Sequence, residues 1–343
     1  MHHHSSEFLS RKYLVLTERL GIRYPILCAT AGGPFTIDLA VAVAEAGGLG
    51  GLGVTRWPDE LAKDRVRMIG ARTSKPFAVG IILAILPSAS RKLALVLEAG
   101  APVVQFSWGT PTPEQVALVR SFGAKLSMQV TNLGGARQAL DVGVDYIVCQ
   151  GQEAGGHVQA QSSWLDTLAP ILEIAGDTPV VVAGGLGDGK ALRKVLLNGA
   201  SGGIFGTRFV ATRESCAIPE WKEQLTTAIA ADTALTVCFD EGWPQSLHRV
   251  LRNETLNQWE ASGSMPKGRR PGEGEVVAND GTNDILRYEA TSPIVGMSGD
   301  PAETSMWAGI GVDAIHDIPP AGELVRRIWA ECVGDSCSSL APS

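Results

Sequence analysis

PVVVAGGLGDGKALRKVLLNGASGGIFGTRF, residues 179–209, decides the fold. A short apolar run ends in paired glycines. An amphipathic stretch of helical length follows, and a second apolar run ends at Gly206. Neither run alternates apolar with polar residues. Both therefore read as strands buried on two faces, joined by a helix, which is the unit of a parallel sheet.

The same unit recurs upstream. Apolar runs lie at YPILCA (24–29), GLGGLG (48–53), PFAVGIIL (76–83), PVVQFS (102–107), KLSMQV (125–130) and YIVCQG (146–151). Stretches such as IDLAVAVAEAG and GGARQALDVG separate them, and nearly every one ends in Gly, a natural residue just past a helix C-terminus. Eight strands spaced by roughly 20 to 28 residues predict a (β/α)8 TIM barrel, class α/β.

The chain has 343 residues, more than the ~250 of a plain barrel. The rhythm breaks after Phe209. Residues 213–300 read as a mostly helical insertion or small second domain beside the barrel mouth. The main barrel spans 9–212, and 301–333 bring the chain back with PPAGELVRRIWAECV as the closing helix. MHHHSSEF (1–8) reads as an expression tag, and 334–343 as a frayed tail.

Hydrophobic residues make up 45% and charged residues 19%, so a large core is expected and disorder is not. The net charge of −7 and the lack of a basic tract argue against nucleic acid. No apolar run is long enough to span a membrane. Six scattered cysteines include no C-x-x-C pair, so no metal site is expected. Cys28 and Cys149 read as small buried hydrophobes. Reduced thiols point to the cytoplasm. A monomer or homodimer is expected.

GLGGLG matches G-x-G-x-x-G, but a helix precedes it and a loop follows. A dinucleotide site needs the opposite order. The loops after strands seven and eight are in the right order. There Gly184, Gly185 and Gly206 let the backbone approach phosphate oxygens, and Thr207 adds a hydroxyl. CQGQEAGGH (149–157) ends strand six on the same face. Gly155 and Gly156 strip the backbone so that something flat can lie against it, and His157 projects over that flat object. An imidazole with a pKa near neutrality there suits proton transfer. A phosphate and a planar ligand at a barrel mouth suggest FMN. A side chain added at Gly185 is expected to expel it by direct clash.

At these residues the sequence resembles the nitronate monooxygenase (2-nitropropane dioxygenase) family of FMN-dependent barrels. The matching pieces include AGGP (31–34), GVDYIVCQGQEAGGH (143–157), PVVVAGGLGDG (179–189), LNGASGGIFGTRFVATRES (197–215), HRVLRN (248–253) and WAGIGVDAIHDIPPAGELV (307–325). The resemblance implies FMN phosphate on Gly184, Gly185, Gly206 and Thr207. Gln150, Ala154 and Gly155 would line the flavin, with Ala31 and Gly32 beside it and Gln129 near its ring. His157 would bind or deprotonate the substrate. The implied reaction oxidises alkyl nitronates with O2 to a carbonyl compound and nitrite.

Some positions depart from the family. Thr30-Ala31-Gly32-Gly33 stands where Pro-Met-Gly-Gly is usual, Gly80 where Asn is frequent, and Gln129 where some members carry a basic residue. The alternatives are an NAD(P)H-dependent FMN reductase acting on quinones or enoyl thioesters, and a non-catalytic flavin-binding protein. Other residues leave two readings open. His248 and Arg249 either face the mouth or bond within the insertion. Trp108 walls the pocket or packs under a loop, and Glu153 more simply orients the strand-six loop than binds through water. His316 is expected to cap or precede the last helix.

Overall fold

The computed structural model describes residues 3–86 and 89–334. Eight parallel strands make one sheet: β1 Ile26–Cys28, β2 Gly50–Gly53, β3 Phe77–Ile82, β4 Val103–Ser107, β5 Lys125–Val130, β6 Tyr146–Gln150, β7 Val180–Ala183 and β8 Gly202–Phe205. Each lies inside one of the eight apolar runs. Hydrogen-bonded order runs from β2 through β8 to β1, with Cys149 opposite Val182 and Val181 opposite Gly202. The sheet closes on itself. Cys28 N–H donates to the Leu49 carbonyl at 2.9 Å, and Leu49 N–H donates to the Ile26 carbonyl at 3.0 Å.

The glycines of β2 have a packing cause. A Cβ on Gly50 would lie 2.2 Å from the Ala40 carbonyl oxygen, so only glycine lets helix Ile37–Glu45 sit this close.

Strand side chains divide between two cores. Val79, Ile81, Val104, Phe106, Ile147 and Val182 point outward to helix residues such as Leu39, Leu93, Leu168 and Leu192. Leu27, Ala78, Val103, Tyr146, Val148 and Val181 point inward. Leu16 and Leu20 of the first helix, His3–Leu20, belong to that inner cluster with Ile22. Arg19 Nη1 donates to the Asp145 carbonyl at 2.8 Å, just before β6. The first helix thus plugs the end of the barrel where the strands begin. At the opposite end the inward side chains are small or polar, among them Gln105, Gln129, Gln150 and Ala183, and a cavity opens there.

Helix Ala321–Val333 packs against helices Gly189–Leu197 and Ile37–Glu45, between the last βα unit and the first. The helix His3–Leu20 begins within the stretch read as a tag, and residues 335–343 lie outside the described residues.

The insertion is less helical than its sequence suggested. Its α-helices are Pro219–Thr227 and Glu254–Ala261, and the rest carries strands of two to four residues. Strands this short leave too few positions for a period of two to register. They form two antiparallel sheets of three strands. One sheet orders Thr233–Thr236, His248–Leu251 and Gly156–His157, so the insertion stitches itself to the loop after β6.

Candidate active site

A cavity of about 560 Å³ sits at the C-terminal ends of the strands. It collects every residue singled out above as a catalytic or cofactor candidate, from Ala31 and Gly32 round to Gly206 and Thr207. The loop after β7 takes left-handed backbone at Gly184 (φ 123°) and Gly185 (φ 73°), which favours glycine at both. Among the described residues no acceptor meets the N–H groups of Gly184, Gly185 or Gly206. Thr207 Oγ accepts from Gly309 N–H at 2.9 Å, leaving its own proton to donate. Three bare N–H groups and a hydroxyl on adjacent loops make a cradle for an oxyanion. Arg208 turns away from it and binds Asp317 Oδ1 at 2.7 Å.

His157 follows directly. Its strand partner is His248, which fixes its height above the barrel. Its ring stacks on Trp243 at 4.4 Å and 25°, with Trp307 at 5.1 Å. Trp243 in turn meets Trp108 edge-on at 4.7 Å. Trp108 therefore walls the cavity, and it does so from a left-handed backbone (φ 55°) that a bulky residue rarely adopts. His157 Nε2 is buried and has no partner among the described residues. Burial, then His248, then the Arg56 charge push its pKa down to about 3. The near-neutral base expected from sequence is thereby corrected: the imidazole is uncharged at ordinary pH and a weak base.

The strand-six loop is held from below. Gln150 spends both ends of its amide on it, accepting from Gln159 N–H at 2.8 Å and donating to the His157 carbonyl at 3.2 Å. Gln129 Nε2 donates to Gln159 Oε1 at 3.4 Å. The Glu153 carboxylate accepts from the Ser163 hydroxyl and from Trp164 N–H at 3.2 Å, so it orients the loop against the next helix.

Two glycine expectations need correction. A Cβ on Gly155 would meet Gly309 N at 2.5 Å, so this glycine admits the 307–311 segment and not a flat ligand. A Cβ on Gly185 would meet Glu153 Cβ at 3.0 Å and Ile310, so a side chain there would act by strain and not by clash inside the cavity.

The family model described as nitronate monooxygenase matches residues 14–89 and 82–331. The nitronate monooxygenase of Pseudomonas aeruginosa is 29% identical, covering 93% of this chain and 99% of that protein. The chain belongs to the nitronate monooxygenase family. It is an oxidoreductase, and the nitroalkane oxidase structure from Streptomyces ansochromogenes superposes with a TM-score of 0.74 at 27% identity, over 93% of this chain and 98% of that one. A Mycobacterium tuberculosis relative, (3aS,4S,5R,7aS)-5-hydroxy-7a-methyl-1-oxo-octahydro-1H-indene-4-carboxyl-CoA dehydrogenase, is 35% identical over 74% of this chain and 70% of its own.

Within this nitronate monooxygenase-family barrel, one departure noted in the sequence, Gly80, has a structural cause. A Cβ on Gly80 would lie 2.5 Å from the Thr30 carbonyl oxygen, so Thr30 fills the space an Asn there would take. Sequence reasoning passed over Arg56, Trp57, Trp243, Trp307 and Gln159. For Arg56 and Trp57 a signal existed: they follow a barrel strand at its C-terminal end.

His248 is structural. Its Nδ1–H donates to the Ser246 carbonyl at 2.8 Å, which leaves Nε2 to accept from Phe239 N–H at 3.2 Å. Burial lowers its pKa to about 4. Both imidazoles return to about 6.5 in the unfolded chain, so the unfolded state takes up protons that the folded state refuses. Stability therefore falls as pH drops below 6.5, down to about 4 for His248 and about 3 for His157. His248 alone accounts for ~3 kcal/mol across that window. Urea unfolding between pH 7.5 and 4.5 should show the fall, and His248→Asn should flatten it. A flat wild-type profile would contradict the neutral burial of His248.

Proposed function

We propose that this chain oxidises alkyl nitronates with O2 to a carbonyl compound and nitrite, using FMN at the barrel mouth. One observation carries the reading. His157, whose Nε2 is buried and unpartnered among the described residues, lines the same cavity as Gly184, Gly185 and Gly206 with their unpartnered N–H groups. A phosphate end and a reacting end are thus built into one space, which fits FMN. The Thr207 hydroxyl and the glycine N–H groups hold the phosphate. Ala31, Gly32, Gln129, Gln150 and Ala154 line the flavin, with Gln150 acting mainly through the strand it supports. When bound, FMN supplies the electron acceptor. The His157 imidazole holds the nitronate by a hydrogen bond, and Trp108 and Trp243 exclude water above it.

The test is the flavin absorbance, first with a nitronate in air, then with NADH or NADPH without air. Rapid cycling in air and no bleaching by nicotinamide support the reading. Bleaching by nicotinamide alone supports the second one, a reductase, which the 35% identity to a CoA-thioester dehydrogenase favours. Heat-released cofactor should run as FMN. Recovery of FAD, or of no flavin, would sink the cofactor assignment, since the sequence carries no fingerprint for an adenosine half beside the cradle.

A further inference from the structure

We infer that Arg56 is the anion anchor of this pocket. The inference rests on the reaction proposed above and names the residue that recognises its substrate.

Arg56 lies just past β2 and lines the cavity. Its loop is pinned on both sides. The buried Lys92 ammonium donates to the Thr55 carbonyl at 3.0 Å, to the Val54 carbonyl at 3.3 Å, and to the Trp57 carbonyl. Thr55 Oγ accepts from Ile82 N–H at 2.9 Å, tying the loop to β3 as well. The side chain reaches under the insertion, where a Cβ on Gly242 would stand 3.6 Å from Arg56 Nη1. The next residue is Trp243, the ring stacked on His157.

A guanidinium carried on so firmly held a loop would ordinarily find a carboxylate. The acid nearest in sequence, Asp59, pairs with Arg91 at 3.0 Å and with Lys92 at 3.6 Å. Asp280 is the carboxylate that lines the cavity, and it accepts from Thr282 N–H at 2.8 Å and Asn283 N–H at 2.7 Å. Among the described residues Arg56 has no ion pair. It presents its N–H fork to a mouth walled by Trp57, Trp108 and Trp243. A planar fork of donors matches a planar oxyanion, and the nitronate group is one.

The test uses FMN-loaded protein and two variants, Arg56→Gln and Arg56→Lys; the side chain is exposed, so neither disturbs a packed core. Nitrate, a planar oxyanion, is titrated against the flavin absorbance, and KM and kcat are measured for ethylnitronate and for neutral nitroethane. Arg56→Gln should weaken nitrate and raise KM for ethylnitronate about 10- to 100-fold, the worth of a charge-assisted hydrogen bond. Its kcat should change far less, and Arg56→Lys should recover part of the loss. In Arg56→Gln, KM for neutral nitroethane should change far less than that for ethylnitronate. Nitrate bound equally by wild type and Arg56→Gln, or by neither, would overturn the anchor. An equal rise of KM for nitroethane and ethylnitronate in Arg56→Gln would also overturn the anchor. Loss of nitrate binding in Arg56→Gln, with no nitronate oxidised by wild type, would uphold the anchor and remove the proposed reaction.

Discussion

Replacing His157 by Ala is expected to lower kcat/KM for ethylnitronate by about 10²-fold or more, the usual worth of a positioned polar group at a reacting centre. His157 lines the cavity, and no protein group among the described residues takes up its buried Nε2. A pKa of about 3 keeps the ring neutral, so the loss should stay constant between pH 6 and 9. It should also fall equally on nitroethane and ethylnitronate, because a neutral donor serves both. His157→Asn keeps a hydrogen-bonding group and part of the shape, and should lose less. Steady-state kinetics of both variants across pH, with circular dichroism to verify folding, would decide. A loss confined to nitroethane would restore His157 to the role of base. No loss with either substrate would make it structural, a partner for Trp243 and nothing more.

Gly184→Ala is expected to give folded protein with FMN affinity lower by at least about tenfold. Gly184 sits at φ 123°, where a side chain is strained whatever the space. Its Cβ would also stand 2.9 Å from Ala154 N and 3.3 Å from the Gly151 carbonyl oxygen. Such strain costs about 1–3 kcal/mol, and the loop relieves it by moving the N–H groups off the phosphate. Gly70→Ala is the control: it ends helix Asp59–Gly70, and an added Cβ meets nothing within 4 Å. Quenching of flavin fluorescence gives both dissociation constants. Riboflavin, which lacks the phosphate, should bind Gly184→Ala and wild type alike. An unchanged FMN constant would remove the phosphate from the β7 loop.

The barrel was legible because its signal is repeated. Each strand is buried on both faces, so each is a continuous apolar run, and helix-ending glycines separate one unit from the next. The cradle was legible for a related reason: paired glycines after a strand have few uses other than close backbone approach. What escaped the sequence was direction and company. Gly155 looked like room for a ligand, yet the room is filled by the backbone at Ala308 and Gly309, far downstream in the chain. His157 looked like a base, yet its ionisation is set by burial, His248 and Arg56, which only folding assembles. Gln150 lines the cavity, and the sequence did not show that both ends of its amide also serve the strand that carries His157.

The central claim is that a nitronate is oxidised in this cavity. The most direct measurement is nitrite released against ethylnitronate consumed, in air, by FMN-loaded protein. The account predicts nitrite equal in amount to the nitronate lost, with O2 uptake that stops when the nitronate is gone. Ethylnitronate left unconsumed, with no nitrite formed while the flavin is intact, would contradict it.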